Sequence, residues 1–281
     1  LLEVNMRDNS KRVGAAAQPA PEQTQTLDFS TPTELVDLPS KGRFYPEDHP
    51  LHGQETVEIK FMTAKDEDIL TSPSLLKKGI AIDRLIQNVI LNKEINVSTL
   101  LSGDKSAIMI ASRINGFGAE YKTKVACPSC EEQSEATFDL DALEIYDGND
   151  YSEYDVTETD RGTYIIKTPR TGFNVEVRLL TSKDEAALVA RAKKAADSNA
   201  TNTGYADQLR LITVSVNGVN RQDVLKEFSE KLPAIDGRYI RSAYAKLNPG
   251  PKMEQEFQCP KCGFEKEVDI PMTVNFFWTN Q

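Results

Sequence analysis

The amino-acid sequence predicts an α+β fold in which one unit is used twice, and three observations carry that prediction. One strand-like phrase running into a helix start occurs at two places. Stretches of period-two hydrophobic alternation give way to helical spacing. Two Cys-Pro-x-Cys turns stand far apart, each flanked by alternating segments.

The first phrase, Thr56-Val-Glu-Ile-Lys-Phe-Met62, alternates apolar and polar residues as a half-buried strand does. Thr63 then precedes Ala-Lys-Asp-Glu-Asp68, a helix start whose acids face the positive end of the helix dipole. These acids could also be read as paired carboxylates for acid–base work, but their place in a first helical turn makes capping the better reading. Ile82, Leu85, Ile86, Val89 and Ile90 follow at the spacing of one buried helix face.

The phrase returns 118 positions later. Asn174-Val-Glu-Val-Arg-Leu-Leu-Thr-Ser-Lys-Asp-Glu-Ala-Ala-Leu188 aligns without a gap on Thr56 to Leu70. Further on, Asp104, Ile108, Ala111, Cys127 and Cys130 recur at an offset of 132 as Asp236, Ile240, Ala243, Cys259 and Cys262. The difference in offset places an inserted loop at residues 195–204. Three matches in register indicate an internal duplication. The expected organisation is a disordered N-terminal arm over residues 1–30, rich in Ala, Pro, Gln and Thr, which holds too little apolar surface to offset the entropy of ordering. A first repeat half follows over 31–145, an acidic linker over 146–162 and a second half over 163–281, each half ending in a cysteine turn.

Cys127-Pro-Ser-Cys130 and Cys259-Pro-Lys-Cys262 carry the strongest chemical signal. Two thiolates two residues apart turn toward one ion, and two such turns supply the tetrahedral four-cysteine set that Zn2+ prefers. The gap between the pairs is too long for a local zinc ribbon. Duplication explains it, with each half donating one knuckle and a single structural Zn2+ per chain joining the halves across a pseudo-two-fold axis. Gly263 suits the positive φ of such a turn. A redox dithiol, disulfides and an iron–sulfur cluster are the competing readings. Four thiolates leave no coordination position for water, so a catalytic zinc is disfavoured.

His49 and His52, the only histidines, sit in a proline-rich loop and read as solvated rather than metal-binding, which leaves no basis for a Ser-His-Asp arrangement. Gly103-Asp-Lys-Ser106 lacks the glycine spacing of a phosphate loop. Ile270-Pro-Met-Thr-Val-Asn-Phe-Phe-Trp278 reads either as a last strand on its own core or as a docking tail. A formal charge of −10 with no basic cluster argues against nucleic acid. No apolar run reaches the ~20 residues of a membrane span, and the N-terminus carries no signal-peptide pattern, so synthesis in the cytosol is the default expectation.

Leu38-Pro-Ser-Lys-Gly-Arg-Phe-Tyr-Pro46, Met62-Thr-Ala-Lys-Asp-Glu-Asp-Ile-Leu70, Lys78-Gly-Ile-Ala-Ile-Asp-Arg-Leu-Ile86 and Leu101-Ser-Gly-Asp-Lys-Ser-Ala-Ile108 together resemble the baseplate hub proteins of T-even-type contractile-tailed bacteriophages. The resemblance is clearest over residues 35–145. It implies a non-enzymatic virion or assembly protein of the tail baseplate, made in the host cytoplasm. Its implied partners are other tail and hub proteins, the tape-measure protein among them, and a homo-oligomer is compatible with it. The rival expectations are a transient chaperone for the tape-measure protein and a zinc-ribbon nucleic-acid binder.

Overall fold

Strand β1 (Thr33–Asp37) pairs antiparallel with β2 (Thr56–Lys60), with Val36 opposite Val57 on the buried face. The protein is seen here as a computed structural model that describes residues 30–197, 204–272 and 274–277. The expected N-terminal arm up to residue 29, the middle of the inserted loop and Trp278 lie outside the described residues. Between β1 and β2 runs the loop of residues 38–46, whose Leu38, Phe44 and Tyr45 are buried with Leu51.

Helices α1 (Ala64–Thr71), α2 (Pro73–Lys78) and α3 (Ala81–Val89) follow. Pro73 opens α2 where its missing N–H costs nothing, and Gly79 closes it in the left-handed region at φ 69°. Helix α3 buries Leu85, Ile86 and Val89, with Ile90 just beyond and Ile82 partly buried, as the periodicity predicts. Each such fully buried side chain contributes roughly 1.5–3 kcal/mol. A 3-10 turn (Val97–Thr99) leads to the long helix α4 (Ser102–Phe117) and the hairpin β3 (Glu120–Ala126)–β4 (Gln133–Asp139).

Residues 146–162, expected as an acidic linker, carry part of β5 (Ile145–Tyr146) and all of β6 (Val156–Glu158). Strand β6 opens a four-stranded antiparallel sheet, completed by β7 (Tyr164–Lys167), β8 (Asn174–Val177) and β9 (Thr213–Val216) in sequence order. Helices α5 (Ser182–Asp197) and α6 (Gly204–Ile212) connect β8 to β9. Then come α7 (Gln222–Lys231), α8 (Ala234–Leu247), β10 (Gly250–Pro251) paired with β5, and the hairpin β11 (Glu254–Gln258)–β12 (Glu265–Asp269). One continuous cluster of buried side chains runs from Val36 to Phe277.

The capping that the sequence predicts is present twice. The Thr63 amide and hydroxyl both donate to Asp66 Oδ2 (2.9 and 2.7 Å), and those of Thr181 donate to Asp184 Oδ2 at the same distances. Each aspartate also holds a cation from the preceding strand or the residue after it. Lys60 lies 3.1 Å from Asp66, and Arg178 grips Asp184 with two nitrogens (2.7 and 2.9 Å). Burial works against the Asp184 carboxylate, but hydrogen bonds from Arg178 and Thr181 prevail and hold its pKa down at about 2.

Asp104 and Asp236 anchor loops. Asp104, near the start of α4, accepts from the Ser40 amide and hydroxyl (2.9 and 2.6 Å) and from the Tyr45 hydroxyl (2.8 Å). Asp236, near the start of α8, accepts from the Arg170 and Thr171 amides (3.0 Å each) and the Thr171 hydroxyl (2.7 Å). Their acidities move in opposite directions. Burial dominates at Asp104 and raises its pKa despite these bonds. At Asp236 burial also pushes upward, but Thr171 and the two amides outweigh it and lower the pKa.

The C-terminal segment packs on its own core, as a 3-10 turn (Val274–Phe277) rather than a strand. Phe276 and Phe277 are buried. Arg113, fully buried on α4, donates to the carbonyls of Phe276 (2.9 Å), Glu120 (3.0 Å) and Gly118. Carbonyl oxygens from the residues just after α4 and from the last turn thus take the place of a counter-ion.

Two outcomes are expected. Asp236→Asn loses about 2–3 kcal/mol in denaturant unfolding, because an amide NH2 facing the Thr171 N–H leaves two donors opposed. Asp104→Asn is expected to lose a similar amount, since the Ser40 and Tyr45 hydroxyls already accept from the Gly42 and Leu101 amides and their protons would lose the Oδ2 acceptor. For Asp184, a lowered folded-state pKa means that its stabilisation is complete above about pH 4 and is lost as the pH falls through about 2. Asp184→Asn therefore removes about 1 kcal/mol at neutral pH, after discounting for the half-exposed Arg178, and flattens the acid limb of the unfolding curve.

Candidate metal centre

Both cysteine turns cap antiparallel hairpins whose alternation places one face inward. Tyr121, Val125 and Phe138 are buried on β3–β4, and Phe257 and Val268 on β11–β12. The turn backbones repeat each other. The Cys127 amide donates to the Glu132 carbonyl (2.9 Å) and the Glu131 amide to the Cys127 carbonyl (2.8 Å). The Cys259 amide likewise donates to the Phe264 carbonyl (2.8 Å) and the Gly263 amide to the Cys259 carbonyl (3.0 Å). Gly263 takes the positive φ (71°) that the sequence predicts, and Glu131 takes it (59°) without being glycine.

The two turns meet sulfur to sulfur. Cys127 Sγ lies 3.7 Å from Cys262 Sγ, Cys130 Sγ lies 3.8 Å from Cys259 Sγ, and all four sulfurs fall within 4.8 Å of one another. A disulfide needs about 2.05 Å, so these are four free thiols. A tetrahedron with ~2.3 Å metal–sulfur bonds has edges of about 3.8 Å, which matches the two close pairs. The donor set can therefore hold a metal ion. Cys127 and Cys259 are buried at the base, and Cys130 and Cys262 stand exposed at the rim.

The backbone prepares the sulfurs for charge. The Ser129 amide donates to Cys127 Sγ (3.4 Å). Amides of Cys262 and Lys261 do the same for Cys259 and lower its pKa to about 7. Cys130 receives the Glu132 amide, yet desolvation and hydrogen bonds with the other three thiols push it up to about 12.

Contacts outside the cluster hold the hairpins together. Lys261 pairs with Glu132 across the two turns, and Tyr121 Oη donates to the Pro271 carbonyl (2.9 Å). The Gln255 side-chain amide clamps the backbone of Asp139, accepting from its N–H (3.1 Å) and donating to its carbonyl. Neither Gln255 nor Arg113 carries a sequence signal for its role, since each acts on backbone that only folding brings near. Asp104 and Asp236 do carry one: each stands in a first helical turn, and each has a Pro-x-x-Gly loop upstream, Pro39 to Gly42 and Pro169 to Gly172.

The histidines lie elsewhere and are more ordered than a solvated loop suggests. His49 stacks on Tyr45 with ring centroids 4.3 Å apart and bonds Thr99 Oγ1 (2.8 Å), and His52 bonds the Tyr45 carbonyl (2.7 Å). Among the described residues, the four cysteines form the one group of at least three His, Cys, Asp or Glu side chains placed to share an ion.

Neither a curated protein nor a solved structure matches the chain. The family described as T4 bacteriophage base plate protein matches residues 32–278, from the start of β1 through the last aromatic turn. The match covers both hairpins, every described helix and most of the sequence, and the chain belongs to the T4 bacteriophage base plate protein family.

Proposed function

We propose that this chain is a structural or assembly component of the baseplate hub that works by binding other tail proteins. In this reading one structural Zn2+ on Cys127, Cys130, Cys259 and Cys262 joins two duplicated halves, residues 31–145 and 163–281. The convergence of four sulfurs from two matching turns carries the metal reading. The membership of a baseplate structural family carries the location in the virion tail. Four thiolates saturate a tetrahedral ion, so the ion serves the fold and not a reaction.

The duplication is supported by correspondences that keep the sequence offsets. The cap of Thr63 with Asp66 and that of Thr181 with Asp184 agree at 118. The Asp104 and Asp236 anchors agree at 132. The two knuckle hairpins share a register at 132, Val125 facing Ser134 as Phe257 faces Lys266. The sulfur pairs 127–262 and 130–259 exchange under a local two-fold axis, in keeping with a shared ion.

Two measurements test this. Protein purified without added metal is expected to contain one zinc per chain and four protected thiols; no metal with four freely reactive thiols would sink the zinc reading. Chelation, or Cys127→Ser, is expected to lower the melting temperature by at least about 10 °C and to loosen both hairpins together. Independent unfolding of an intact C-terminal half would count against one shared ion. Mass spectrometry of purified tails and of hub intermediates tests the role. Presence in either supports it, and absence from both overturns it.

A further inference from the structure

Each of the two close sulfur pairs joins one sulfur at the base of the cluster to one at its rim. Buried Cys127 faces exposed Cys262 at 3.7 Å, and buried Cys259 faces exposed Cys130 at 3.8 Å. Both pairs run between the hairpins rather than within a Cys-Pro-x-Cys turn. A disulfide needs about 2.05 Å, so each pair has to close by about 1.7 Å, a movement on the scale of a change in two χ1 torsions.

Contacts beyond the sulfurs fix which cysteine faces which. Lys261 beside Cys262 pairs with Glu132 of the other turn, so the tips are held together. At the far ends, the Lys252 amide donates to the Glu144 carbonyl (2.8 Å), joining the segment before β11 to the segment after β4. Gln255 and Tyr121 bond backbone of the opposite hairpin or its flank between these points. Thiols held in contact by such a frame react as neighbours and not by diffusion. The rim sulfurs are open to a small oxidant, and each has a base sulfur behind it.

We propose that the four thiols form a redox-convertible clip, in which a peroxide closes Cys127 onto Cys262 and Cys130 onto Cys259 as two disulfides between the hairpins. The proposal rests on the metal-centre reading and states how that site responds to oxidation. The rim sulfur of Cys262 attacks the O–O bond of the peroxide and takes up one oxygen as a sulfenic acid. Two electrons pass from sulfur to the other oxygen, which leaves as water once protonated. The Cys127 sulfur then attacks the sulfenic sulfur, the S–O bond breaks, a second water leaves and the S–S bond forms. Cys130 and Cys259 repeat both steps. In balance, four thiolates, two hydrogen peroxide molecules and four protons give two disulfides and four waters. The ligating form of cysteine is the thiolate, which a disulfide no longer offers, so closing both bonds releases Zn2+. The link between the hairpins then passes from ion to covalent bond without being lost.

Trypsin separates the possible pairings, because Lys261 stands between Cys259 and Cys262 while only Pro128 and Ser129 stand between Cys127 and Cys130. The full chain, as purified and dilute, is treated with hydrogen peroxide, blocked at any remaining thiol and digested without reductant. The expected product is one species in which residues 125–161 hold both 253–261 and 262–266, with fragmentation assigning Cys127 to Cys262 and Cys130 to Cys259. A zinc-binding dye is expected to record one zinc released for two peroxides consumed. The oxidised chain should melt at least about 5 °C above the reduced chain stripped by a chelator. Bonds within each turn, which leave 125–161 alone and join 253–261 to 262–266, overturn the proposal. So do sulfinic acids in place of disulfides, and so does the pairing of Cys127 with Cys259. Failure of the zinc reading shows separately, as a chain without metal before oxidant is added, and the same peptide map then decides the disulfide pairing by itself.

Discussion

Cys130 and Cys259 are 129 positions apart in the chain and their sulfurs lie 3.8 Å apart in space. Bringing such distant points together costs loop-closure entropy that grows only slowly with length, so the ion proposed for the four sulfurs would be an efficient clip for a long chain. The rest of the C-terminal architecture leans on this meeting of hairpins. Gln255 holds the end of β4, Tyr121 reaches Pro271, and Arg113 gathers the carbonyls of the last turn. Separate the hairpins, and these side chains lose the backbone groups that satisfy them.

Buried polarity is handled in the same way elsewhere in the molecule. Asp66, Asp104 and Asp236 are fully buried, and each carboxylate is met by several donors from a neighbouring loop or strand. Among the described residues, Ser134 Oγ is the one buried side-chain polar atom with no partner. A buried donor or acceptor left unpaired costs about 1–3 kcal/mol, comparable to a large share of a domain's net stability. The loop anchors therefore select one arrangement of strand, loop and helix rather than merely strengthening it.

A structural role in a phage tail asks for surfaces and a fixed frame more than for an open pocket. The four sulfurs lie close enough to share an ion, and no described helix is long and apolar enough to cross a membrane.

Features that depend on a few consecutive residues were legible in the chain before any fold was known. Period-two alternation located β2 and β8, threonine followed three residues later by aspartate located the starts of α1 and α5, and Cys-Pro-x-Cys followed by Gly263 dictated a knuckle turn. The caps and the knuckle turn are local because the hydrogen bonds that enforce them close within about five residues, and the strand alternation is local because successive side chains point to opposite faces. Folding in three dimensions was needed to bring the four sulfurs together, to pack the histidine loop on Thr99 and to turn the last aromatic residues inward in a 3-10 helix. It also sent Asp104 and Asp236, identical in sequence role, in opposite directions in acidity. Each of these outcomes turns on desolvation or on backbone groups from distant segments, which side-chain identity does not encode.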